Sequence, residues 1–169
     1  PIPYNEESLK LIVRNIDHVQ NFLKREILLE NIVNYFTYNA SDIAEADFLV
    51  AVAKSSGAKI LLNITNVYVN AHNFDPMLYL QTIPPEVIGE IHISGHTEEN
   101  GILMNSNDRP IDIKVLELFA RFYTHYSNVP IILEWNSNIA KAKELTKHIK
   151  SALEYAQRYS TTSCKRHSI

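Results

Sequence analysis

The stretch Lys59-Ile60-Leu61-Leu62-Asn63 is apolar through its middle and polar at its last residue. An unbroken apolar run of this length, set off by Gly57, reads as a strand of a parallel sheet covered on both faces. Three other runs have the same shape: Ile27-Leu28-Leu29-Glu30-Asn31, Val87-Ile88-Gly89-Glu90-Ile91-His92-Ile93, and Val129 to Trp135 with Ile131-Ile132-Leu133 at its centre.

Between these strands the period changes to that of a helix. Leu9, Ile12, Val13, Ile16, Val19, Gln20 and Leu23 recur at helical spacing from Glu6 to Lys24, behind a cap at Asn5. Ser41-Asp42 opens a second helix through Ala53 that stops near Gly57, and Asp75-Pro76 opens a short one through about Gln81, with Pro76 tolerated in the first turn. After a loop holding Gly101 and Pro110, Lys114 to Tyr126 and Asn138 to Tyr159 are helical by period, and the tail 160–169 is polar and expected to be loose. Four strands alternating with helices imply an α/β fold: a partial (β/α) TIM-type barrel over residues 1–159, half of an eight-stranded closure. Half a barrel leaves two open sheet edges, so a homodimer or a missing N-terminal barrel segment is expected. The absence of a starting methionine before Pro1-Ile2-Pro3-Tyr4 points to a chain that begins partway through a longer protein.

Composition narrows the function. Of 169 residues, 46% are hydrophobic and 21% charged, enough apolar material for a core. The net charge of −3 gives no basic field for nucleic acid or anionic membranes. No apolar stretch approaches the ~20 residues of a membrane helix, and Pro1-Ile2-Pro3-Tyr4 lacks the charged and apolar regions of a signal peptide. The single cysteine, Cys164, excludes a disulfide framework and fits a reducing cytoplasm.

Each strand ends on a side chain able to bind metal or hydrogen-bond: Glu30, Asn63, His92 and Glu134. Strand side chains alternate with period two, so Leu28 and Glu30 share a face, as do Leu61 and Asn63, Glu90 and His92, and Ile132 and Glu134. If that face is the barrel interior, all four residues converge at the C-terminal strand ends, where parallel barrels carry their chemistry. Asn31, Asn66, His96, the run Asn105-Ser106-Asn107-Asp108 and Asn136 lie just beyond. Carboxylate with imidazole suits iron, manganese or zinc, and the donor types favour iron or zinc. A glutamate ending a single strand is more often a solvated rim residue; its company here changes that reading. His18, His72, His125, His148 and His167 read as surface residues, Trp135 as core or pocket wall, and Lys141 to Lys150 as a solvated helix face.

Five motifs in order resemble the family catalogued as domain of unknown function 692. They are Leu29-Glu30-Asn31 with Tyr35, Leu61 to Val69, Asp75-Pro76 with Tyr79-Leu80, Glu90-Ile91-His92-Ile93-Ser94-Gly95-His96, and Leu133-Glu134-Trp135-Asn136. The resemblance implies a TIM barrel holding two or three iron ions that oxidises a cysteine-containing peptide, as in methanobactin biosynthesis, with a partner protein presenting the peptide. It places Glu30, His92 and Glu134 at metal ligands and Asn66 and His96 within the same motifs. The chain departs from the pattern where the family has Asp at Asn63, Asp-Thr-His at Asn105-Ser106-Asn107, and Asp at Asn136. The loop after Val69 is about two residues short, and the first half of the barrel is missing. Asp to Asn removes a charge and His to Asn removes a nitrogen donor, so the remaining Glu30, His92 and Glu134 suit one metal rather than a cluster. Two functions follow: an iron-dependent, oxidase-like protein acting on a cysteine-containing peptide, or a degenerate remnant that folds and binds a partner without chemistry. A sugar isomerase or endonuclease on a similar barrel ranks last, since fold alone would support it.

Overall fold

The computed structural model describes residues 2–123, 128–139 and 142–166. Helix α1 (Glu6–Leu23) is capped by Asn5, whose side chain accepts from the Ser8 backbone N–H, and it ends at Lys24 in a left-handed conformation. Strand β1 (Leu28–Glu30) follows, then α2 (Glu45–Ser56), ended by left-handed Gly57, and β2 (Lys59–Asn63). Helix α3 (Ile64–Val69) starts directly on the end of β2, and α4 (Pro76–Thr82) is capped by Asp75. Strand β3 (Ile88–Ser94), the hairpin β4 (Thr97–Glu99) and β5 (Ile102–Met104), helix α5 (Ile113–Tyr123), strand β6 (Ile131–Glu134) and helix α6 (Ala142–Arg166) complete the order.

The strands β1, β2, β3 and β6 form one parallel sheet in that order, with β1 and β6 on the outside. This is the expected α/β arrangement, a parallel sheet alternating with helices. Ile60, Leu62, Ile91 and Ile93 are buried against Leu49, Leu80, Val115 and Phe119. Hydrophobic burial is roughly proportional to the apolar area removed from water, so this face carries most of the sheet's stabilisation.

The opposite face corrects the sequence reading. Leu61 is only partly buried, and Leu28 and Ile132 are 39% and 43% exposed. The sheet is covered by helices on one face and open on the other, which is the interior side of a barrel arc. A continuous apolar run cannot distinguish a strand buried on both faces from one whose second face awaits more barrel.

The remaining differences are local. α2 begins at Glu45 rather than Ser41, because the Ser41 hydroxyl instead accepts from the Tyr4 backbone N–H. α3 was not expected, since six residues are too few to show a helical period. The β4–β5 hairpin turns at Asn100-Gly101, both at positive φ, inside what reads as loop. α6 starts at Ala142 and runs on through Arg166, so the loose tail from Ser160 is not seen as far as that residue. No proline or glycine interrupts the helix there, and an established helix propagates readily. His125 and His167 lie outside the described residues.

Candidate metal centre

The sheet register brings the strand ends to one face. Glu30 pairs with Leu61, Asn63 pairs with His92, and His92 pairs with Ile132, two residues before Glu134. Parallel partners point to the same side, so Glu30, Asn63, His92 and Glu134 share the open face. A bulge makes this so. Ile60 pairs with Ile88, but Leu61 pairs with Glu90, leaving Gly89 as an extra residue. Were the pairing regular, with Gly89 opposite Leu61, Glu90 and His92 would turn to the core face. A Cβ at position 89 would lie 2.6 Å from Leu28 Cδ2, which can swing away, and 3.0 Å from Lys59 Cβ, which cannot, so glycine relieves a tight contact at the bulge.

Glu30, His92 and Glu134 each offer a ligand atom within 4.8 Å of the others. Metal–oxygen and metal–nitrogen bonds of about 2.0–2.2 Å place two ligands of one ion up to roughly 4.3 Å apart, so small side-chain rotations suffice to close on a single ion. His92 Nδ1 is 3.6 Å from Glu134 Oε2, and His92 Nε2 is 2.7 Å from Glu90 Oε1. Among the described residues, no lysine or arginine forms an ion pair with Glu30, Glu90 or Glu134. Three carboxylates around one imidazole with no resident cation suit a divalent ion.

The asparagines are arranged differently. Asn63 is 1% exposed; its Oδ1 accepts from the Asn66 backbone N–H at 3.1 Å and caps α3, so its Nδ2 points outward and donates to Glu30 Oε1 at 3.0 Å. Asn31 accepts from the Asn63 backbone N–H at 2.8 Å and donates to the Asn63 carbonyl at 3.1 Å. Asn66 Nδ2 donates to the Asn31 carbonyl, Asn105 Nδ2 donates to Asn66 Oδ1 at 2.7 Å, and the Ser94 hydroxyl donates to Asn105 Oδ1 at 2.7 Å. Buried Asn63 and Asn66 and half-buried Asn105 are thus engaged in one amide network that touches Glu30 through Asn63.

Asn107 sits at φ +50°, with its N–H on the Gly95 carbonyl and its carbonyl accepting from the Asn136 N–H at 2.6 Å. It ties the end of β3 to the end of β6. Its Oδ1 is buried without a partner in the structure, as are His96 Nδ1 and Trp135 Nε1. Asn136 Nδ2 donates to Glu134 Oε1 at 2.8 Å. The His96 ring packs 5.0 Å from that of Tyr68, and burial pushes its pKa below the ordinary imidazole value. Trp135 lies 5.6 Å from the His148 ring. The sequence reading did not single out Glu90, although its i, i+2 spacing from His92 was the available signal, nor the hub role of Asn31, which no local pattern marks.

A parallel barrel arc that gathers two glutamates and a histidine at its C-terminal strand ends defines a (β/α)-barrel protein with a candidate metal centre. The chain belongs to the family described as RiPP precursor modification enzyme MbnB/TglH/ChrH, whose family model matches residues 1–157. It is 36% identical over 156 residues to a UPF0276 protein of Anaeromyxobacter sp. (strain Fw109-5), covering 91% of this chain and 55% of that protein. A UPF0276 protein of Vibrio vulnificus (strain YJ016) is 35% identical over 158 residues, with 90% and 54% covered. The chain spans about half the length of these relatives. A D-psicose 3-epimerase crystal structure in the presence of D-fructose superposes with a TM-score of 0.53 at 16% identity, covering 88% of this chain and 55% of that one, a likeness of fold alone. No described helix is long and apolar enough to cross a membrane.

Proposed function

We propose that this chain carries one half of the metal centre of a peptide-modifying, oxidase-like enzyme, and that Glu30, His92 and Glu134 hold a single ion. The observation that carries the reading is their convergence to within 4.8 Å on the open face of the sheet. Iron is the ion proposed, with zinc and manganese as competitors for the same donors. Bound iron would supply the redox chemistry toward a cysteine thiol of the substrate peptide and dioxygen. The chain's own residues bind the ion, orient the imidazole and hold Glu30 and Glu134 through Asn63 and Asn136. A cysteine-containing peptide, a peptide-presenting partner protein, and either a second copy or an N-terminal barrel segment complete the proposal, and a cytoplasmic location suits it.

A second reading is favoured by one observation. Asn63 aims a hydrogen-bond donor at Glu30, and Asn66 and Asn105 spend their amides on each other, on Ser94 and on backbone. With their amides engaged in this way these positions are poorly placed to ligate a second ion, which fits a non-catalytic relative that binds a peptide partner. Anaerobic loading with iron(II), followed by dioxygen uptake with a cysteine-containing peptide and with its serine counterpart, separates the readings. Cysteine-dependent uptake supports the oxidase; equal uptake with both peptides contradicts it.

A further inference from the structure

His92 is contacted on both sides of its ring. Nε2 lies 2.7 Å from Glu90 Oε1, a hydrogen-bond distance, whereas Nδ1 lies 3.6 Å from Glu134 Oε2, beyond one. A carboxylate only accepts, so the proton of the short contact resides on Nε2. In the neutral ring Nδ1 then carries the lone pair, and it faces Glu134. Glu90 stands two residues before His92 on the same strand face, placed there by the Gly89 bulge.

We infer that Glu90 is the positioning residue of this centre: it fixes His92 as the Nε2–H tautomer and thereby assigns Nδ1 as the nitrogen that meets the metal. The inference rests on the proposed metal reading for its second half only, because the tautomer is a property of the metal-free protein. A carboxylate behind a ligating imidazole also raises the basicity of the nitrogen in front and locks the ring's rotation. Glu90 therefore differs in role from Glu30 and Glu134, although all three carboxylates surround the same ring.

The test is long-range proton–nitrogen NMR on protein with 15N-labelled histidine, at about pH 8.5, where ordinary imidazoles are neutral, with the His92 signals identified by their loss in His92→Gln. The spectra are taken metal-free and with one equivalent of zinc, a diamagnetic probe. The expected result is an Nε2-protonated ring in both states with zinc on Nδ1. Glu90→Gln, whose amide can donate to Nε2 as readily as accept from it, should admit the Nδ1–H tautomer, and Glu90→Ala should give a tautomer mixture and weaken zinc about 10- to 100-fold. An Nδ1-protonated ring in the metal-free protein, zinc on Nε2, or an Ala variant with the wild-type tautomer and affinity would overturn the assignment. Protein that shows the Nε2–H tautomer and takes up no zinc would sustain Glu90 as the tautomer-setting residue while removing the metal reading. If Glu90→Ala does not fold, the wild-type and Glu90→Gln spectra decide.

Discussion

Asn63 presents its amide nitrogen, and not its oxygen, to Glu30. The oxygen is taken by the Asn66 N–H at the start of α3, and the nitrogen reaches Glu30 Oε1 at 3.0 Å. Flipping the amide to offer oxygen to a metal would break the cap and set Nδ2 against the Asn66 N–H. Asn63→Asp keeps the cap and replaces the donor with a second carboxylate oxygen. The metal-free variant should be clearly destabilised at neutral pH, because position 63 is 1% exposed and its new carboxylate is desolvated against Glu30. Zinc should stabilise the variant more than it stabilises the wild type. Thermal melts with and without zinc check this, and equal zinc-induced shifts would speak against it.

Asn31 is the hub of the amide network. It is 1% exposed and satisfies both backbone groups of Asn63. Asn31→Leu, close in size, strands a buried N–H and a buried carbonyl at about 1–3 kcal/mol each. A loss of about 2–6 kcal/mol in urea unfolding is expected, and a loss below about 1 kcal/mol would show that Asn63 finds other partners.

His96 gives a pH dependence whose sign is fixed. Burial is the largest influence on its ring and lowers the folded pKa, with the Asp112 charge opposing. The unfolded chain therefore takes up its proton first as the pH falls. The contribution is complete above about pH 6.5, the unfolded value, and is lost as pH drops toward the depressed folded value. Denaturant midpoints measured from pH 7.5 down to 5 should show this fall, and His96→Gln should flatten it. An unchanged slope in the variant would assign the dependence elsewhere.

Gly95 lies where β3 gives way to the loop, and a Cβ there would overlap the Arg109 carbonyl. The colliding group is backbone and cannot rotate away. Gly95→Ala should displace the 105–109 segment, at a cost of about 1–3 kcal/mol, and loosen the Gly95–Asn107–Asn136 chain of hydrogen bonds. Amide exchange at Asn107 and Asn136 should rise in the variant; unaltered exchange would contradict the tie between the two strand ends.

The parts of this molecule that were readable in advance are those whose signal is local or periodic. β2 occupies the stretch Lys59–Asn63 that its apolar run marks, and Asn5 and Asp75 cap the helices their spacing announces. The convergence of Glu30, His92 and Glu134 was readable because each lies at or near the C-terminal end of an apolar strand and the strands run parallel. The bulge at Gly89 was not readable, since pairing depends on the neighbouring strand. The orientation of the Asn63 amide was equally hidden, because it is set by the N–H of a helix too short to show a period. The open face of the sheet escaped notice because Leu61 and Ile132 look the same in sequence whether or not anything covers them.

The most direct test of the account is metal content. Protein prepared without chelator and exchanged into iron(II) or zinc should hold about one ion per chain by elemental analysis, and His92→Ala and Glu134→Ala should each abolish that binding while the fold persists by circular dichroism. Folded wild-type protein that binds neither ion, or binding that survives both substitutions, would contradict it.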